Sequence, residues 1–86
     1  MRIDTLANNQ TVVMTGEKTI FFSYETPVAK IDHGFLVLSR NAFDYSRTTS
    51  KYLMRFIREY TSFNPANKKA VEKLIKDGNV FVQDEL

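Results

Sequence analysis

The hydrophobic period of this chain changes once, between residues 38 and 48, and that change limits its fold more than any other feature. Ahead of it, short apolar runs alternate with turn residues. TVVM at 11–14 is followed by Thr15-Gly16-Glu17-Lys18, and TIFFSY at 19–24 is rich in β-branched and aromatic residues, so the two read as a hairpin. Glu25-Thr26-Pro27 interrupts the pattern, because proline has no N–H for a ladder and favours a bend or the start of a strand. VAKI at 28–31 and FLVL at 35–38 flank Asp32-His33-Gly34, where Gly34 can take positive φ, and should pair across that turn.

Within 19–24, Ile20, Phe22 and Tyr24 alternate with Phe21 and Ser23, which fits a strand with one well-buried and one partly covered face. FLVL is apolar on both faces. Such a strand belongs in the middle of a sheet, with helices on one side and a loop or a dimer partner on the other.

Beyond the change, Tyr52, Leu53, Phe56, Ile57 and Tyr60 fall on one helical face, and Lys51, Arg55 and Arg58 fall on another. This predicts an amphipathic helix over 48–61. Asn64-Pro65 reads as an N-cap with proline at the first helical position, and Gly78 as a left-handed C-terminal stop, so a second helix is expected over 65–76. It should bury Ala70, Val71, Leu74 and Ile75 and expose Lys68, Lys69, Lys73 and Lys76. VFV at 80–82 could add a short edge strand.

Strands first and helices afterwards predict an α+β fold. The expected form is a small antiparallel sheet of three to four strands (11–14, 19–24, 28–31, 35–38) packed against the two C-terminal helices. With 86 residues, 43% of them hydrophobic, one domain over 1–86 is expected. A core of this size buries only about 60–65% of the unfolded surface, which leaves a homodimer open as a way to bury more.

The chemistry available is narrow. The chain has no cysteine, so disulfides, thiolate metal sites and a cysteine nucleophile are absent, in keeping with a reducing cytoplasm. No apolar run fits a secretory signal or a membrane span, and the expected location is the cytoplasm, without a membrane partner. The single histidine, His33, sits in a turn, where a solvated role is the ordinary one. No nucleophile motif surrounds the serines, and the carboxylates form no metal-binding pattern. Three glycines, at 16, 34 and 78, exclude phosphate-binding glycine loops. No catalytic residue, metal or cofactor is expected. An enzyme would need a pocket joining His33 or Tyr45 to the segment 48–51.

Charge is the more informative feature. Net charge is +2, yet residues 40–76 hold nine Lys or Arg against three Asp or Glu, while residues 1–39 sum to −1 and the last ten to −3. Such asymmetry points to a polyanionic partner. Its strongest local form is YSRTTSKYLMRFIREY at 45–60, where hydroxyls and cations precede the first helix. Thr48 or Thr49 can serve simply as the N-cap, which is worth on the order of 1 kcal/mol. The other reading is an anion site of helix N–H groups, hydroxyls and the side chains of Arg47 and Lys51, since the first turn carries no Asp or Glu to offset its dipole.

Phe22-Ser23-Tyr24-x-Thr26-Pro27-Val28-Ala29 and Tyr45-Ser46-x-Thr48-Thr49-Ser50-Lys51 together resemble a small uncharacterised domain family of bacteriophages and other mobile elements. The resemblance covers about 19–57; many relatives have histidine after the lysine, where this chain has Tyr52. It implies a phage or plasmid setting and action in the host cytoplasm, and it imports no activity.

The expected function is therefore that of a non-enzymatic small binding protein, phage-encoded, engaging nucleic-acid backbone. The candidate contacts are Arg47, Thr48, Thr49, Ser50, Lys51, Arg55 and Arg58. The alternative is a phage protein that binds and inhibits or modulates a host or defence-system protein through a strand edge or the aromatic sheet face.

Overall fold

The computed structural model describes residues 2–40, 47–84 and 86. Its elements are β1 (Arg2–Ala7), β2 (Gln10–Thr15), β3 (Lys18–Ser23), β4 (Thr26–Asp32), β5 (Phe35–Ser39), α1 (Arg47–Tyr60), α2 (Lys68–Lys76) and β6 (Phe81–Gln83). The fold is α+β, but the sheet has six strands rather than three to four, in the order β1-β2-β3-β4-β5-β6. Neighbours from β1 to β5 are antiparallel, and β6 runs parallel to β5. A parallel neighbour cannot follow a tight turn, and the two helices fill the crossover it requires. The exposed Arg40–Asp84 ion pair sits beside the β5–β6 end.

Four two-residue turns join β1 to β5. At His33-Gly34 both residues have positive φ, 51° and 83°, the pattern of a type I′ turn whose twist matches its strands. The expected pairing follows, with Ala29 opposite Leu38 and Asp32 opposite Phe35. Pro27 lies opposite Phe22 and Ala29 opposite Phe21, so Val28 is the extra residue of a bulge. That bulge lets a proline sit in an interior strand.

α2 begins later than the Asn64-Pro65 signal predicts. Its N-cap is Asn67, whose Oδ1 accepts from the Ala70 N–H at 3.0 Å. Pro65 is buried in the connection, and its carbonyl accepts from Arg58. The expected stop holds: Gly78 has φ 83°, its N–H donates to Ile75 O, and the Asn79 N–H donates to Leu74 O. These two bonds form a Schellman motif, satisfying carbonyls that the helix end would leave open.

The helices cover one face of the sheet. Leu53, Phe56 and Ile57 of α1 are fully buried against Val12, Phe21, Val28, Ala29, Leu36 and Leu38, with Val71 of α2 and Val80 completing the core. Phe21 and Phe56 stack with centroids 5.4 Å apart. On β3 the well-buried face is thus that of Phe21 and Ser23, while Ile20 and Phe22 lie on the partly covered one.

Candidate functional site

The start of α1 is tied to a sheet corner. Ser23, at the end of β3, and Thr49, in the first turn of α1, are both buried, and their hydroxyl oxygens lie 2.9 Å apart. Gln10 pairs with Ser23 in register, is 1% exposed, and leaves its amide oxygen buried without a hydrogen-bond partner. A buried hydroxyl costs free energy unless it is bonded, and the Ser23–Thr49 contact meets that need while tying the start of α1 to the end of β3. Beside it, Tyr24 holds φ at 58° and donates its backbone N–H to Asn9 O at 2.6 Å. Positive φ is unusual for a bulky residue, and the turn hydrogen bond helps to hold it there.

This geometry revises the role expected of the threonines. The helix runs from Arg47, so Thr48 and Thr49 lie inside its first turn and neither is the cap. Thr49 turns into the core, whereas Thr48 and Lys51 are exposed and Ser50 is half-buried. The first turn contains no acid, as expected. Tyr45 and Ser46 lie outside the described residues, as does the side chain of Arg47. The signal that places Thr49 inward is its spacing: Thr49, Leu53 and Phe56 stand at i, i+4 and i+7.

The α1 cations also have structural work. Arg55 donates from Nε to Glu59 Oε1 and from Nη1 to Leu6 O, both at 3.1 Å. Arg58 Nη1 donates to Pro65 O at 3.2 Å. Lys51 Nζ lies 5.5 Å from the centre of the Tyr52 ring. A carbonyl takes one N–H of a guanidinium and leaves its charge in place, so these anchors orient the forks of Arg55 and Arg58. On α2, Lys68, Lys69, Lys73 and Lys76 are all exposed. Residues 47–77 contain eight Lys or Arg against Glu59, Glu72 and Asp77, a net of +5 on the helical side of the molecule.

Tyr60 closes α1 against β1 by donating its hydroxyl to Asp4 Oδ2 at 2.7 Å. Its pKa is pushed up to about 12, first by burial, then by the bond to Asp4 and the negative charges of Asp4 and Glu59. A raised pKa means that the protonated form is favoured by folding. The contribution is complete below the ordinary value of 10.0 and is lost as pH rises through about 12. Stability should therefore fall between these values in wild type, and Tyr60→Phe should flatten that part of the curve. Urea melts at stepped alkaline pH, followed by circular dichroism, measure the difference.

His33 stands at the other end of the sheet. Its Nδ1 is 2.6 Å from Asp32 Oδ1, and its Nε2 is 2.6 Å from Glu17 Oε2. It borders an open depression of about 540 Å³ lined by Lys30, Asp32, Phe35, Val37, Phe81, Val82 and Gln83, which includes none of residues 48–51. Among the described residues no cluster of three or more His, Cys, Asp or Glu could hold a metal ion, and no helix is long and apolar enough to cross a membrane.

A family model described as a family of unknown function (DUF8033) matches residues 1–76. No curated protein and no solved structure matches the chain.

Proposed function

Because the chain belongs to DUF8033, a family of unknown function, its own surface must carry the argument, and we propose that it is a non-enzymatic binding protein that engages nucleic-acid backbone through its helices. The observation carrying this reading is the +5 charge of residues 47–77. On α1 two of the four cations, Arg55 and Arg58, have guanidinium groups already oriented by Leu6 O and Pro65 O. Oriented guanidinium groups lose less freedom on meeting a phosphate, and they present paired N–H donors that match its oxygens.

Lys51, Arg55 and Arg58, with Arg47, are the principal contacts, and the lysines of α2 extend the surface. Thr48 and the N–H groups of the first turn contribute hydrogen bonds to a phosphate oxygen. The set carries no sequence-reading motif, and the binding proposed is to the backbone and independent of sequence. The motifs at 22–29 and 45–51 support a phage-encoded protein acting in the cytoplasm of a host cell.

A salt titration tests the proposal. On a short duplex DNA, log K should fall linearly with log salt with a slope of about −4.5 to −7, the signature of five to eight neutralised phosphates. Absence of binding to either DNA or RNA at ~50 mM salt overturns it, since phosphate-driven affinity is strongest there. The alternative, attachment to a host or defence-system protein, has one observation in its favour, the apolar sheet face opposite the helices.

A further inference from the structure

We propose that this open sheet face closes on a second copy of the chain, giving a two-fold dimer with its helices on the outside. The inference does not rest on nucleic-acid binding. Register places Ile3, Val13, Ile20, Lys30, Val37 and Phe81 in one row across all six strands, on the face away from α1 and α2. Phe22 and Pro27 flank that row on one side and Phe35 on the other. Ile3, Phe35 and Phe81 are 56%, 58% and 47% exposed, Val13, Ile20 and Lys30 are half-buried and Val37 is buried, and Phe35 meets Phe81 edge to face at 5.8 Å. Among the described residues the only other exposed large hydrophobic side chain is that of Tyr24.

Size and charge select the occupant. Six strands at ~4.8 Å spacing and ~18 Å length give a face of about 430 Å² before side-chain relief, and more with it. Pairing two such faces buries about 1,000 Å², the lower bound for a specific association. A peptide seated in the depression beside Phe81 would leave Ile3, at the far edge, uncovered.

Of the strand residues, only Lys18, Lys30 and Asp32 bring charge to this face, and Lys18 pairs with Asp32 at 3.9 Å. A face of net +1 can meet its own copy, whereas the +5 helical sides would repel one another. Face-to-face packing of sheets turns those helical sides apart.

The charge pattern also selects the two-fold axis. An axis across the strands sets β4 over the partner's β4, with Lys30 against Lys30. An axis along the strands keeps the two Lys30 ammonium groups apart, lays only the apolar stem of Lys30 along Ile20, and sets Val13 over Val37 and Ile3 over Phe81, which is the arrangement proposed. Both edges of the sheet are then in the interface.

Sedimentation equilibrium from about 1 to 100 µM tests the proposal. Wild type should show a reversible monomer–dimer equilibrium. Ile3→Lys and Phe81→Lys, at opposite edges, should each weaken it about tenfold or more, as expected on burying an unpaired cation among apolar contacts. Glu72→Lys, on α2, should not. All three positions are exposed, so circular dichroism of dilute samples should be unchanged. A wild-type monomer at 100 µM overturns the proposal, as does a dimer weakened by Phe81→Lys but indifferent to Ile3→Lys.

Discussion

Phe56→Ala is expected to lower the unfolding free energy by about 3–5 kcal/mol, the range for a fully buried phenylalanine truncated in a core. Phe56 has no exposed surface and is the ring through which α1 rests on the sheet, stacked on Phe21 at 5.4 Å and on Tyr60 at 5.2 Å. The side chains around it come from strands held in register by their ladders, so the space left by the ring cannot collapse cheaply. A domain of this length has a total margin of about 4–13 kcal/mol. The substitution therefore removes between a quarter and all of it. Urea denaturation followed by circular dichroism should show a midpoint lowered by 1 M or more, or no cooperative transition at all. Phe56→Leu, which keeps most of the volume, should cost about 1 kcal/mol. A loss below 1 kcal/mol for the alanine variant would mean that α1 does not depend on the Phe21–Phe56 contact.

The helical half of that contact is legible in local pattern, whereas the face of β3 that meets it is not. Tyr52, Leu53, Phe56, Ile57 and Tyr60 mark a helical face by spacing alone, and Asp32-His33-Gly34 marks a hairpin by its turn chemistry. Of the two edge strands β1 was hidden, whereas VFV at 80–82 announced β6 without its place in the sheet. In β1 the register shifts between Thr5 and Ala7, so Ile3 and Leu6 break the two-residue alternation that announces a strand. β6 has three residues and pairs in parallel with β5, a contact that no local signal specifies. At α2 the Asn64-Pro65 signal misplaces the start by three residues, and the cap at Asn67 goes with a buried Pro65 whose carbonyl is taken by Arg58.

The candidate site divides along the same line. Its charge is visible in composition, since segment charge needs no fold. What composition cannot supply is which cations are tethered. Arg55 finds the carbonyl of Leu6, 49 residues away, and Thr49 finds Ser23, 26 residues away. Spacing against Leu53 and Phe56 marks Thr49 as inward-facing, but its partner depends on the corner where β3 ends.

The tethering gives the binding reading its strongest consequence, a separation of lysine from arginine effects. Lys51, Lys69 and Lys73 are exposed, and Lys51 touches only the neighbouring Tyr52 ring among the contacts seen for it. Reversing all three to glutamate should leave the urea midpoint nearly unchanged, because exposed substitutions away from packing features fall within about 0.5 kcal/mol each. The salt slope on duplex DNA should become shallower by about 2.7, three phosphates at 0.9 each, and affinity at ~50 mM salt should drop at least a hundredfold. Arg55→Ala and Arg58→Ala should behave otherwise. Each removes a hydrogen bond that holds α1 to β1 or to the connection before α2, so each should cost about 1 kcal/mol of stability in addition to one unit of salt slope. If lysine reversal leaves the slope unchanged while the arginine variants weaken binding, the arginines act at a local site, and the charge of the helical layer has no part in recognition.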